Sequence, residues 1–215
     1  MLKIEKTEVY GWEAAIRGMR NPMNSWDKSD SNCSELVRAD DGFYLEGFIG
    51  INDYNLMMRL AKAGSVHAKY RRMITVTCDI TAPLYWWKEF DTYKIGTVAN
   101  SCSTMHKIHA KELTLDDFSH EHLTGLYLKN LESTIIMLND ARCEYLESKD
   151  KDFWYQMIQL LPTSYNQKRT VQLNYEVLVG MYRDRRNHKL NEWVQLCEWV
   201  KGLPYSEIIT GEVDV

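Results

Sequence analysis

From Ile74 to Thr81 the apolar residues Ile74, Val76, Cys78 and Ile80 alternate with Thr75, Thr77, Asp79 and Thr81. A two-residue period of this kind puts every apolar side chain on one face of a strand, and a helix would scatter them around its surface. The chain must therefore contain a sheet with one buried face. Pro83 ends the strand, because proline has no N–H to give to a ladder and fits the first turn of a helix. LYWWKEF after it reads as a short helix with Leu84, Trp87 and Phe90 turned inward. The following DTYKIGTVANSCST is rich in small hydroxyl and amide residues. Gly96 marks backbone freedom, and Thr97, Asn100, Ser101, Ser103 and Thr104 offer groups that hydrogen-bond a phosphate or a base edge. Lys94 adds a cation. The same pattern is also that of a capped helix end and a polar turn, and both readings stay open.

The rest of the chain supplies elements for one α+β domain over residues 1–215, with a mainly antiparallel sheet flanked by helices, one of them long. Leu2 to Tyr10 and Phe43 to Ile51 read as strands. Gly11 opens a helix ending at Arg20, and RGMRNPMNSWDKSDSN follows as a polar loop carrying Arg17, Arg20, Lys28 and Trp26. That loop is either a basic, aromatic flap over a nucleotide or a surface loop pinned by a buried tryptophan. Asn52 or Asp53 is expected to cap a helix with Leu56, Leu60 and Ala63 on one face and Gly64 as its stop. Thr114 and Asp117 form a capping-box pattern, and the apolar spacing from Leu123 to Tyr145 extends it into a helix from Leu115 to Ser148. Thr170 to Arg183 reads as a helix with the stripe Val171, Tyr175, Leu178 and Tyr182, and Lys189 to Lys201 as the last one.

Charge and composition exclude several classes. A formal net charge of -4 argues against a duplex-binding protein, whose phosphate contacts need a basic surface. The five cysteines are odd in number, scattered and without a Cys-x-x-Cys pair, as in a reduced cytoplasmic protein. MLKIEKTEVYG lacks the apolar core of a signal peptide, and no apolar run is long enough for a membrane span. No metal site is expected: His106 and His109 lack further ligands at compatible spacing, and His120 and His122 point to different sides of the helix predicted to hold them. No glycine-rich phosphate loop, nucleophile elbow or dinucleotide fingerprint is present.

Two basic clusters remain as electrostatic candidates. His67, Lys69, Arg71 and Arg72 precede the Ile74 strand, and Arg183, Arg185 and Arg186 crowd the junction before the last helix. An arginine fork can grip phosphate in two places; cations at a helix C-terminus also simply offset the dipole.

In length, order of elements and local wording the chain resembles the flavin-dependent thymidylate synthases, whose signature follows an Ala-Pro at a strand end. Ala82-Pro83 stands in that place. Counted on without a gap, Thr92-Tyr93-Lys94 falls on the family's Arg-His-Arg, Thr97 on its first Ser, and Ala99-Asn100 on its Asn-Glu. Cys102, Thr104 and Met105 fall on the last Ser, Arg and Tyr. A second block, Leu160 to Pro162, Asn174 and Arg185, keeps the family's spacing of Leu-Pro, Asn and Arg, while Ile158 replaces a nucleotide Arg. His67 falls on the first His of the Gly-His segment, where Arg72 and Met73 replace Glu-His.

The resemblance implies a homotetramer that holds FAD and dUMP and methylates the pyrimidine with no protein nucleophile, so positioning is the chemistry. It sets His67, Lys94, Thr97, Asn100 and Asn174 against the cofactor and Arg185 against the nucleotide. Arg20, Tyr93, Ser101, Ser103 and Arg183 complete the nucleotide set from the residues' own chemistry. Because Thr92, Tyr93 and Lys94 replace Arg-His-Arg, two functions follow: a divergent flavin-dependent methyltransferase acting on dUMP or a related pyrimidine nucleotide, or a non-catalytic homologue that binds and sequesters a nucleotide.

Overall fold

The computed structural model describes residues 1–39 and 42–211, with backbone alone for 34–39 and 42–46. Strand β1 is Lys3–Tyr10, α1 is Trp12–Arg20, and two 3-10 turns, Asn21–Met23 and Trp26–Lys28, lead to the strands β2, Asn32–Ala39, and β3, Gly42–Phe48. Then come α2, Ile51–Lys62; β4, Thr75–Pro83; α3, Leu84–Phe90; β5, Val98–Ser101; α4, Thr104–Lys107; α5, Leu126–Ser148; and α6, Lys151–Leu160. The chain closes with β6, Asn166–Asn174; α7, Tyr175–Arg185; α8, Asn191–Lys201; and α9, Glu207–Thr210. One sheet has the order β1-β4-β6-β5, and β2 pairs with β3 as an antiparallel hairpin. The class is α+β, with an antiparallel pair and one long helix.

Strand β4 is where the alternation put it: Val76, Cys78, Ile80 and Ala82 are buried, and Thr75, Thr77, Asp79 and Thr81 half-buried. Two compact units are present: Met1–Lys3, Ile80–Thr92 and Asn100–Arg169 form the first; Ile4–Asp79, Tyr93–Ala99 and Thr170–Val215 the second.

In the first unit Ile108, Leu113, Phe118, Leu131, Ile135, Leu138, Ala141 and Met157 form the core, with α5 and α6 packed over it. Trp86 joins Trp87 and Phe90 inside, whereas Leu84, expected inward, is only half-buried. The Trp87 indole donates to the carbonyl of Gln167 at 2.9 Å, and the Arg169 guanidinium lies 4.2 Å from the Trp87 ring. A tryptophan that satisfies its N–H while burying its rings fixes α3 in both packing and direction.

The long helix starts eleven residues later than its spacing predicted. The capping box of Thr114 and Asp117 is present but opens only a 3-10 turn, Leu115–Asp117. Phe118 then turns extended, is fully buried and bridges to Tyr165, so burial of one phenyl ring outweighs helix continuation. His120 and His122 consequently precede the helix rather than sit on it.

In the second unit Trp12, Ile16, Met57, Ile74, Val171, Leu173, Tyr175, Leu178 and Trp193 are buried. Trp12 packs edge-on against Tyr175 at 5.4 Å, and the Tyr175 hydroxyl donates to Pro204 O at 2.6 Å. The segment Thr170–Asn174, expected as the start of a helix, is the end of β6. Val171 and Leu173 alternate with exposed Thr170 and Gln172, and the helix begins only where Asn174 caps it. Val171 satisfies the helical stripe and the strand alternation alike, and backbone pairing in the sheet decided between them.

Helix α2 is capped from a distance. Its N-cap is Gly50, not Asn52 or Asp53, and the carboxylate of Asp30 accepts the N–H groups of Asn52 at 3.0 Å and Asp53 at 3.1 Å. A Cβ on Gly50 would stand 2.2 Å from the Asp30 carboxyl carbon, so the cap requires a glycine there. Among the described residues no helix is long and apolar enough to cross a membrane.

Candidate functional site

Asn174 ends β6 and caps α7: its Oδ1 accepts the N–H of Val177 at 3.1 Å. The 93–97 loop passes directly over this helix start. Gly96, with φ +75°, would place a Cβ 3.0 Å from Asn174 Nδ2 and 3.1 Å from a Val177 methyl. Only glycine combines that left-handed backbone with so close an approach. The hydroxyl oxygen of the next residue, Thr97, is buried and has no hydrogen-bond partner among the described residues. A buried hydroxyl without a partner is costly unless something else completes it.

Eleven residues on from Asn174, at the other end of α7, Arg185 is half-buried between two rings. Its Nε donates to the Tyr93 hydroxyl at 2.9 Å, and its guanidinium carbon lies 5.7 Å from the Tyr93 ring centroid and 4.6 Å from that of Trp193. The rings hold the planar cation in one orientation, which an ammonium on a flexible stem would not adopt. Lys94 is exposed beside them. In the second unit one loop thus meets the two ends of one helix: Gly96 and Thr97 at Asn174, Tyr93 and Lys94 toward Arg185.

The other expected residues are placed differently. Arg183 is exposed and bonds Asp184 at 2.8 Å, which raises the Arg183 pKa and lowers that of Asp184. His67 is exposed in a turn closed by its own N–H on Gly64 O at 3.0 Å. Its neighbour Arg71 is buried and faces Glu176 at 3.5 Å, whereas Arg72 is exposed. Asn100, Ser101 and Ser103 belong to the first unit. Asn100 and Ser101, expected in a polar loop, lie in β5, and Ser103 caps α4 by accepting the His106 N–H at 3.2 Å.

Arg20 is 3% exposed, and its donors are engaged within the protein. Nε reaches Asp53 Oδ1 at 2.6 Å, Nη1 the carbonyl of Ser25 at 3.1 Å, and Nη2 the carbonyl of Lys28 at 2.9 Å. The other oxygen of Asp53 accepts from the Ser29 and Ser31 hydroxyls and from the N–H groups of Asp30 and Ser31. Burial alone would raise the Asp53 pKa, but bonds from Ser31, Ser29 and Arg20 hold it below the ordinary carboxylate value. Nothing in the spacing of Arg20 and Asp53 announces this pair, and Trp193 was missed for the same reason: neither is local in sequence. Trp26 is 52% exposed, so it does not pin its loop by burial.

Two cavities flank Arg20. One of about 400 Å³ is lined by Glu13, Ile16, Arg17, Arg20, Trp26, Ser29, Ser31 and Cys33, and one of about 520 Å³ by Arg20, Met23, Ser25, Lys28, Asn52, Asn55, Leu56 and Arg59. No group of metal-ligating side chains occurs among the described residues.

The sequence matches no protein-family model and no curated protein. Solved structures do match over almost the whole chain. The thymidylate synthase ThyX of Helicobacter pylori with FAD and dUMP superposes with a TM-score of 0.68 at 16% identity, covering 99% of this chain and 98% of that one. A second structure of the same protein, complexed with FAD and dUMP, gives 0.67 at 16% identity with 98% of each chain covered. The UMP/dUMP methylase PolB of Streptomyces cacaoi bound with 5-Br dUMP gives 0.63 at 13% identity, covering 98% and 94%. The chain has the fold of these proteins.

Proposed function

We propose that this protein binds a pyrimidine nucleotide at the 93–97 loop and the start and end of α7. The observation that carries this reading is the buried Thr97 hydroxyl, without a partner among the described residues, next to the Gly96 approach to Asn174, in a chain whose fold is that of structures solved with dUMP. Thr97 completes its hydrogen bonding on the ligand, Arg185 presents an oriented guanidinium, and Lys94 adds a second cation for the phosphate.

The flavin fits these residues less well. Asn174 Oδ1 is committed to the helix cap, and the hydroxyl of Tyr93, which falls on the family's Arg-His-Arg, is taken by Arg185. Of the residues that the resemblance sets against the cofactor, Asn174 is used within the protein, His67 is exposed in a turn of its own, and Asn100 belongs to the first unit. The reading is accordingly a non-catalytic nucleotide binder. The alternative, a flavin-dependent methyltransferase acting on dUMP, is supported by the FAD in the structures of the same fold.

The same reading includes a cytoplasmic homotetramer. All five cysteines are free thiols, and α5 leaves Tyr127 at 72% and Ile136 at 61% exposure, apolar surface that a second copy would cover.

The test is an absorbance spectrum and mass analysis of whatever copurifies, followed by dUMP and UMP titrations of the wild type and of Thr97→Val. A colourless protein that binds a pyrimidine nucleotide, with Thr97→Val at least about tenfold weaker, is expected from loss of one buried hydrogen bond. Flavin bands with dUMP-dependent reoxidation would instead establish the enzyme.

A further inference from the structure

The loop after α1 presents a feature that the proposed site does not use. Trp26 is half-exposed and lines the 400 Å³ cavity, and its indole N–H donates to Asn21 Oδ1 at 2.8 Å, which orients the ring. An indole locked by a neighbouring side chain, with its ring left open to a cavity, is a stacking surface prepared in advance. Ile16, which is 5% exposed, gives the cavity lining an apolar side chain. Its charged groups cancel in pairs: Arg17 with Glu13 at 3.4 Å, and Arg20 with Asp53 at 2.6 Å. The Cys33 thiol is also neutral, pushed up to about 11 by burial and by Asp53 and Glu13. An aromatic wall, an apolar wall and no net charge select an uncharged planar ring.

The neighbouring cavity has the opposite character. Arg20 borders both, and Ser25, which lines the second, adjoins Trp26, which lines the first. Lys28 and Arg59 line it with the amides of Asn52 and Asn55, and among the described residues no carboxylate does. Since the Arg20 charge is taken by Asp53, Lys28 and Arg59 are the lining cations that form no ion pair among the described residues. Aromatic stacking next to uncompensated cations is how proteins hold a base and its phosphate together without reading sequence.

We propose that this chain carries a second ligand site, separate from the Thr97 and Arg185 site, in which Trp26 stacks on an uncharged nitrogen heterocycle and Lys28 and Arg59 hold the phosphate attached to it. The ligand is a nucleoside monophosphate or a compound containing one. This inference does not depend on the proposed function.

The four ribonucleoside monophosphates and their nucleosides are titrated into the full-length protein, following the indole N–H resonance of Trp26, assigned by its loss in Trp26→Phe. At least one monophosphate is expected to shift it. Trp26→Ala should weaken that monophosphate and its nucleoside alike by about tenfold or more, the loss of one stacked base. Arg59→Glu and Lys28→Glu should weaken the monophosphate by a similar factor and leave the nucleoside unchanged. Both cations are exposed, so the fold survives these changes. Absence of any shift, equal binding in Trp26→Ala, or binding that disappears only in Arg185→Ala would each overturn the proposal.

Discussion

The Nε of Arg20 lies 2.6 Å from Oδ1 of Asp53, and the two side chains are 4% and 0% exposed. Around that pair the loop between α1 and β2 is tied to α2 from both directions. Asp53 gathers Ser29, Asp30 and Ser31, while Asp30 in turn accepts the first N–H groups of α2.

Removing one member leaves the other charged and buried. Asp53→Ala should therefore destabilise the protein by about 3–5 kcal/mol, whereas Arg20→Met with Asp53→Leu should recover most of that loss. Urea unfolding of the three chains measures both. A single variant with wild-type stability would mean that Arg20 finds water or another acceptor.

The pair also sets a pH dependence. The Asp53 pKa is lowered in the folded protein from 3.8, so its contribution is complete above that value and is lost as pH falls through the lower folded value. The stability difference between the wild type and Asp53→Asn should be constant near neutrality and shrink below about pH 4. Unfolding curves between pH 3 and 7 measure it, and a difference independent of pH would contradict the assignment.

Gly96 carries two constraints at once, a φ of +75° and a Cβ position 3.0 Å from Asn174 Nδ2. Gly96→Ala should cost about 1–3 kcal/mol from backbone strain alone, and it should weaken nucleotide binding further by lifting Thr97 away from its place. Thermal melts and dUMP titration give the two effects separately.

Asn174 holds the start of α7 through its side-chain amide oxygen, Oδ1, which accepts the Val177 N–H. Asn174→Ala should lose about 1 kcal/mol, and Asn174→Asp should keep the cap, since a carboxylate accepts the same N–H at a helix N-terminus. If the amide nitrogen also serves the ligand, Asn174→Asp will be stable and bind nucleotide poorly, a combination that a purely structural asparagine would not show.

Arg185 depends on shape as well as charge. Between the Tyr93 and Trp193 rings a lysine keeps the charge and loses the planar stack, so Arg185→Lys should bind nucleotide nearly as badly as Arg185→Ala. Calorimetric titration of both variants, with far-ultraviolet spectra to show that the fold is intact, checks this. Full binding by the lysine variant would reduce Arg185 to a point charge.

Local pattern determined a good part of this protein. The β4 alternation, Pro83 at the strand end and the α3 aromatics follow from period and backbone chemistry, which act between neighbours in the chain. The family comparison rested on the gap-free placement of Ala82-Pro83, Asn174 and Arg185, and the matching fold agrees with it. Spacing failed where two periods share a residue, as at Val171, or where a cap pattern meets a stronger demand, as at Phe118. It also had no means of joining Arg20 to Asp53, Asp30 to α2, or Arg185 to Trp193, because each is a meeting of residues brought together by packing. The sequence by itself determined which stretches could be strand or helix. Tertiary structure decided which charges are buried, paired or left to meet a ligand, because burial and pairing depend on distances that no local pattern contains.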